Sequence, residues 1–346
     1  MGGSGLKVSR ICLGAGTFGS QWGTRWSMSP QQCEALIALA VDAGVSFIDT
    51  ASVYNKGESE LWLGEILERR GIRDAVVLST KFGYATDPHN ANSGGAGRRA
   101  MFASVDRSLR RLRTDYLDIL YLHIWDGVTD VEHTMSAAAD LIAAGKIRHF
   151  GLSNVPGWYF GQAAMWSGLR REPILAAVQM HYNLLERSVE SELMPCAQQR
   201  GVGFVAWGPL ANGLLTGKYE IDTATGEIAG QGRVTETFTT GDIDPFGGRA
   251  RDIVRRVSEL ARELGCAAAE LSLAWLLSKP DVCAVAIGVS AREQLEANLR
   301  SVHVTLPAEV ITELDDLSRP PVRYPHTFLR DEIQALVHGD RKVETA

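Results

Sequence analysis

The sequence predicts a single-domain α/β protein of the (β/α)8 TIM-barrel class, and three observations carry that prediction. Eight short apolar segments alternate with segments of helical period across roughly 300 residues. The apolar segments are continuously hydrophobic rather than alternating, as expected of parallel strands covered on both faces. Several of them end in residues able to do chemistry, and a barrel gathers its active site at the carboxyl ends of its strands.

The first strand reads over residues 8–14 and runs into Gly14-Ala15-Gly16-Thr17-Phe18-Gly19, which has the G-x-G-x-x-G spacing of a dinucleotide loop. That loop works where a helix opens at the glycines and holds a pyrophosphate on its N-terminus. Here Ser20-Gln21-Trp22-Gly23-Thr24-Arg25-Trp26 follows without helical period, so the glycines read as the lining of a strand-end loop. The helix opens later, at Ser29-Pro30-Gln31-Gln32, with a cap, a first-turn proline and a capping-box glutamine. Cys33, Leu36, Ile37, Ala40 and Val41 share its apolar face, and Gly44 closes it.

The alternation then continues. Strands are expected at 46–50, 75–81, 117–123, 148–153, 175–180, 202–207 and 282–287. Helices are expected at 58–70, 99–112, 131–144, 157–169, 189–199, 250–264 and 268–278. Residues 1–330 form the barrel in this reading and 331–346 a tail, with 341–346 polar and frayed. The stretch 219–249 is the longest connection without a pattern of its own, of the kind that serves as a lid or stays disordered.

Composition narrows the function. The chain has 346 residues, 45% hydrophobic and 22% charged, with a net charge of −6, which favours neither nucleic acid nor an anionic membrane as partner. No apolar run has the roughly 20 residues of a membrane helix. The start, Met1-Gly2-Gly3-Ser4-Gly5, lacks the charged and apolar regions of a signal peptide. Five cysteines without a Cys-x-x-Cys pair argue against a zinc site and for reduced thiols, hence a cytoplasmic protein without a metal.

The chemistry gathers at the strand ends. Phe47-Ile48-Asp49-Thr50-Ala51-Ser52-Val53-Tyr54 delivers an acid and then a phenol. Val76-Val77-Leu78-Ser79-Thr80-Lys81 delivers an ammonium, and Leu117-Asp118-Ile119-Leu120-Tyr121-Leu122-His123 an imidazole. Each alone has an ordinary explanation as a cap, an ion-pair partner or a core residue. On successive strands they read as one catalytic constellation.

With the barrel placed, these motifs resemble the aldo-keto reductases, over almost the whole chain. The resemblance rests on Asp49-Thr50-Ala51 with Tyr54, Gly57-x-Ser59-Glu60, Thr80-Lys81, the run ending in His123, and Gly145-Lys146-Ile147-Arg148. Gly151-Leu152-Ser153-Asn154, Trp207-Gly208-Pro209-Leu210 and Leu215-Thr216-Gly217-Lys218-Tyr219 complete it. The nearest branch is that of aryl-alcohol dehydrogenase-like enzymes and potassium-channel β subunits. The resemblance implies NADPH-dependent carbonyl reduction with Asp49, Tyr54, Lys81 and His123 as a catalytic tetrad. A phenol with pKa near 10 is a slow acid at neutrality, and a neighbouring Lys81 ammonium would lower that pKa.

The resemblance also implies a cofactor site for NADP(H). Ser153, Asn154 and Gln179 would meet the carboxamide, and Trp207 would stack on the nicotinamide ring. Gly208, Pro209, Leu210, Gly213 and Lys218 would surround the pyrophosphate. Gly288, Ser290, Arg292 and Gln294 would meet the 2′-phosphate at a helix N-terminus, and Asn298 the adenine. Two positions depart from the family pattern: Ala297 stands where a glutamate usually meets the adenine, and Asn55 where glycine usually follows the catalytic tyrosine. The segment that plugs the barrel floor looks short. Trp22, Trp26, Phe82, Tyr84 and Trp125 are expected to face the substrate, with Tyr324 or Phe328 from the tail, which suits an apolar or aromatic carbonyl compound.

Competing readings are a cofactor-binding regulatory subunit and a barrel lyase or hydrolase without nicotinamide. Within the family, a sugar or nucleotide-deoxysugar oxidoreductase is a further alternative. His123 favours catalysis, because the channel subunits carry Asn there.

Overall fold

The first strand, β1 (Ile11–Gly14), starts later than its apolar pattern predicts. Upstream of it the Ser9 amide donates to Ser46 Oγ and the Ser46 amide to Ser9 Oγ, both at 3.0 Å. Side-chain hydroxyls stand in for the ladder there, so regular pairing begins inside the segment. The computed structural model describes residues 1–21, 28–169, 174–221, 228–230, 248–329 and 331–339.

Seven further strands follow: β2 (Phe47–Asp49), β3 (Val77–Phe82), β4 (Leu117–Leu122), β5 (Ile147–Ser153), β6 (Leu175–His181), β7 (Gly203–Trp207) and β8 (Val282–Gly288). All pair in parallel and close into a barrel in the order β1-β8-β7-β6-β5-β4-β3-β2, the predicted (β/α)8 class. A two-residue ribbon, Glu220–Ile221 with Ile228–Ala229, stands outside it.

The outer layer comprises α1 (Pro30–Asp42), α2 (Glu58–Arg70), α3 (Arg98–Leu112), α4 (Val131–Ala143), α5 (Gly157–Gly168) and α6 (Leu193–Gln199). After β7 come α7 (Gly248–Glu263), α8 (Ala268–Ser278), α9 (Arg292–Arg300), α10 (Ala308–Ser318) and α11 (Asp331–His338). The capping box of α1 forms as predicted: the Ser29 amide donates to Gln32 Oε1 and the Gln32 amide to Ser29 Oγ. Helix α6 is shorter than expected at its start, with a separate turn at Ser188–Glu190. Pro195 explains this, because proline lacks an N–H and its ring clashes with the carbonyl four residues back, so it is confined to a first turn.

Two apolar layers result. The barrel interior holds Cys12, Phe47, Val77, Ile119, Tyr121, Ala177, Val205 and Ala284, and Met1, Leu6 and Val8 pack against this cluster. The N-terminal segment therefore reaches the interior, with the Met1 amino group on the Leu6 carbonyl at 2.5 Å. The larger cluster lies between strands and helices and holds residues of the opposite parity, such as Leu13, Ile48, Leu78 and Leu120. Among the described residues, no helix is long and apolar enough to cross a membrane. The expected lid falls largely on 222–227 and 231–247, and the frayed end on 341–346, both outside the described residues.

Candidate active site

Strand parity assembles the site. Side chains alternate along a strand, so stepping two residues from each interior position gives the next interior one. From Phe47, Val77, Ile119, Ala177 and Val205 this rule leads to Asp49, then Ser79 and Lys81, then Tyr121 and His123, then Gln179 and His181, and finally Trp207. The register agrees: Asp49 is level with Ser79, Ser153 with Gln179, and His181 with Trp207. One rim of the barrel thus receives the predicted acid, ammonium and imidazole.

Asp49 and Lys81 form a buried ion pair, with side chains 5% and 1% exposed. Lys81 Nζ also donates to the Thr50 carbonyl at 3.0 Å, and Ser79 Oγ donates to Asp49 Oδ1 at 2.5 Å. Burial pushes the Lys81 pKa down, but Asp49 and Tyr54 more than offset it, and the net shift is upward. Lys81 is therefore an ammonium ion at neutral pH. Its Nζ lies 5.3 Å from the centre of the Tyr54 ring.

Tyr54 departs from the simplest expectation. Burial raises its pKa, Lys81 lowers it, Asp49 raises it again, and the net direction is upward. The ammonium acts in the predicted sense, but desolvation outweighs it, so the phenol holds its proton. His123 stands edge-on to Tyr54, with ring centroids 5.7 Å apart. Burial first and Lys81 second push its pKa down to about 3, which keeps the imidazole neutral. Its Nδ1 is buried without a hydrogen-bond partner among the described residues.

Buried polar contacts hold the tyrosine loop from below. Ser59 Oγ donates to the Ala15 carbonyl at 2.7 Å and lies 2.7 Å from Thr50 Oγ1. Glu60, fully buried, accepts from Thr80 Oγ1 at 2.7 Å and from Arg111 at 3.1 Å, and Arg111 reaches the Ser52 carbonyl at 3.2 Å. The motif residues Ser59 and Glu60 thus act as supports. The predicted glycine loop carries no helix at its glycines; α1 begins at Pro30.

On the far side of the rim, Ser153 and Gln179 are buried, and Gln179 Nε2 is a buried donor without a partner among the described residues. An orphaned amide donor at the barrel mouth suits a carboxamide oxygen. Asn154, at φ 48°, donates to the His123 carbonyl at 2.8 Å and accepts from Trp207 Nε1 at 3.2 Å. The Trp207 indole is stacked on His181. Gly208 follows with φ 64°, and a Cβ there would stand 2.7 Å from the His181 ring, so both backbone and space require glycine. Pro209 is buried, and the Leu210 carbonyl accepts from the Gly213 and Leu215 amides in the next turn. Lys218 lies over Gly213, where a Cβ would stand 2.8 Å from Nζ.

Gly288 ends β8, and the Ser290 amide and hydroxyl both point at Gln294 Oε1, at 2.9 and 3.3 Å. Arg292 pairs with Glu296 along the exposed face of α9, and Asn298 is buried. The pair at 290 and 294 therefore stands preassembled at a helix start, whereas Arg292 is engaged elsewhere.

The substrate-side expectations divide. Tyr84 is 44% exposed and meets His123 edge-on at 4.9 Å, beside a cavity of about 570 Å³. Trp125 joins Trp158 and Tyr159 in an aromatic cluster that borders a second cavity. Phe82 is a correction: it is 1% exposed and packs on Phe150 in the layer between strands and helices. Parity is the reason, since Lys81 points inward and its neighbour must point outward. Tyr324 and Phe328 are exposed and pair with each other. Trp22 and Trp26 lie outside the described residues.

Two residues at the rim escaped the sequence reading as site residues: Ser79 and His181. Parity would have found both, each lying two residues from a named site residue. Among the described residues there is no cluster of His, Cys, Asp and Glu that could hold a metal.

Comparison with known proteins adds to this geometry. The profile of the aldo/keto reductase family matches residues 10–319. Norsolorinic acid reductase stcV of Emericella nidulans is 34% identical over 97% of this chain and 85% of its own length. The uncharacterized oxidoreductase YrpG of Bacillus subtilis is 32% identical over 93% of this chain and 95% of its own. A putative aryl-alcohol dehydrogenase of Saccharomyces cerevisiae, AAD14, is 28% identical over 95% and 88%.

Proposed function

The chain belongs to the aldo/keto reductase family of oxidoreductases, and from that premise we propose that it reduces an aldehyde or ketone to the alcohol with NADPH. The observation that carries this reading is the convergence of Asp49, Lys81, Tyr54 and His123 on one rim of the barrel.

Bound NADPH supplies the hydride that reduces the carbonyl carbon. Ser153, Asn154 and Gln179 would hold its carboxamide, Trp207 its nicotinamide ring, and Ser290 with Gln294 its 2′-phosphate. The chain's own groups handle the oxygen. His123, neutral, donates an N–H to the carbonyl oxygen and orients it. Tyr54 gives its phenolic proton to the alkoxide, and its raised pKa keeps that proton in place until then. The tyrosinate left behind is stabilised by the Lys81 ammonium, which Asp49 holds charged, and Ser79 fixes Asp49 in turn.

Tyr84 beside His123 favours an apolar or aromatic carbonyl compound. The relatives named for norsolorinic acid and aryl alcohols point the same way. The small molecule is the partner in this reading, and the five free cysteines support a cytoplasmic location.

The test is loss of NADPH absorbance against aromatic aldehydes, aliphatic ketones and sugars, with Tyr54→Phe run alongside. Turnover that disappears in Tyr54→Phe, with NADPH affinity nearly unchanged, is expected. A normal rate in Tyr54→Phe would remove the tetrad from the mechanism.

A further inference from the structure

Asn55 directly follows Tyr54, and the geometry points to it as a positioning residue for that phenol, an inference that rests on Tyr54 being the proton donor. Asn55 is 2% exposed and sits in the left-handed region at φ 50°, ψ 40°, which asparagine tolerates better than most residues. Its side chain is committed to one loop. Nδ2 donates to the Gly16 carbonyl at 3.1 Å and to the Phe18 carbonyl at 2.9 Å, and Oδ1 accepts from the Gln21 amide at 3.0 Å.

The same loop touches the ring of Tyr54. A Cβ at Gly16 would lie 3.6 Å from Tyr54 Cε2, so the Gly16 backbone runs along one side of the phenol. The loop also closes tightly over Asn55: Gly19 adopts φ 137°, and a Cβ there would stand 2.3 Å from Asn55 Cβ. Glu58 adds a second fastening, accepting from the Ser20 amide at 2.7 Å and from its hydroxyl at 2.8 Å. The ring also meets His123 edge-on, with centroids 5.7 Å apart. The phenol thus touches both a loop and an imidazole, and the loop is fastened by the side chain of the very next residue.

A backbone requirement alone would be met by glycine, which enters the left-handed region freely. The three side-chain bonds are what glycine cannot supply. Losing them frees the Gly16 segment and, through it, the orientation of the phenol, while the cofactor-facing groups at Gln179 and Trp207 are on the opposite strands of the barrel.

Asn55→Gly keeps the backbone conformation and removes the bonds, and Asn55→Asp keeps the shape but replaces the donor by a carboxylate facing two carbonyls. Both are compared with wild type and Tyr54→Phe in the single-turnover rate of NADPH oxidation by an aromatic aldehyde, in H2O and D2O, with NADPH affinity read from tryptophan fluorescence and folding from thermal melting. We expect both Asn55 variants to lose about 10- to 100-fold in rate, with NADPH affinity unchanged and a larger solvent isotope effect, since proton delivery becomes the slow event. A rate within about twofold of wild type in either folded variant overturns the inference. An equal loss of rate and NADPH affinity, the mark of a generally loosened rim, overturns it as well. If Tyr54→Phe keeps its rate, the proton-donor reading falls and takes this inference with it; an inactive Tyr54→Phe beside normal Asn55 variants removes this inference alone.

Discussion

His181 and Trp207 lie face to face at the ends of neighbouring strands, with ring centroids 4.4 Å apart and planes 19° from parallel. The imidazole is fixed in turn: Asn183 Nδ2 stands 3.1 Å from its Nε2 and donates to the Gly208 carbonyl at 2.9 Å. One face of the indole is therefore covered by the imidazole, and in the proposed function the nicotinamide would take the other. His181→Ala should free the indole and weaken NADPH binding by about fivefold, equivalent to about 1 kcal/mol. A fluorescence titration checks this, and unchanged affinity would mean that Trp207 needs no backing.

The Asp49–Lys81 pair makes a stability prediction. Lys81→Met leaves a buried carboxylate with Ser79 as its remaining side-chain partner. That should cost about 3–5 kcal/mol in denaturant unfolding. Asp49→Asn with Lys81→Met should recover a large part of the loss, because no buried charge then stands alone. Both variants should lack turnover.

His123 sets an acid limit. Its folded pKa of about 3 lies below the ordinary imidazole value, so the folded state prefers the neutral ring. The associated stability is present above the unfolded pKa, near 6.5, and is lost as pH falls toward 3. Over that window the slope from this group approaches about 1.4 kcal/mol per pH unit. Unfolding free energies of wild type and His123→Asn between pH 6 and 4, taken as approximate bounds, should converge as pH falls. Parallel curves would count against a buried neutral imidazole.

Ser290 and Gln294 are already in contact at the start of α9. A phosphate there would gain helix amides and dipole in addition to these side chains. NADPH should therefore bind more tightly than NADH, and Ser290→Ala with Gln294→Ala should reduce that preference by about tenfold. Paired dissociation constants for the two cofactors decide it; equal affinities in wild type would refute the assignment.

Phe82 and Tyr84 should behave oppositely. Phe82→Ala opens a cavity between strands and helices and should cost about 3–5 kcal/mol of stability. Phe82→Leu should leave KM for a carbonyl substrate unchanged. Tyr84→Ala, on the exposed side of His123, should change KM with little loss of stability. A KM shift in Phe82→Leu would return Phe82 to the pocket.

Much of the molecule could be read from local pattern. The eight strands, the capping box at Ser29 and the non-helical glycine loop at 14–19 follow from periodicity and cap chemistry within a few residues. The strand-end placement of Asp49, Lys81 and His123 was legible for the same reason, because each closes an apolar run. Local pattern failed where a single step mattered. Phe82 adjoins Lys81 in the chain, but a one-residue step along a strand reverses the face.

By itself, then, the sequence determined the order of elements and the chemical groups that close them, since both depend on short-range burial and hydrogen bonding. Tertiary structure decided which of those groups meet. Closure of β1 on β8, the stacking of His181 on Trp207, the support of Glu60 by Arg111 and the hold of Asn55 on the Gly16 loop all join residues distant in the chain. So did the pKa of Tyr54, where the ammonium nearby was predictable but the extent of burial opposing it was not. Desolvation depends on everything packed around a group, and that is a property of the assembled barrel rather than of any one segment.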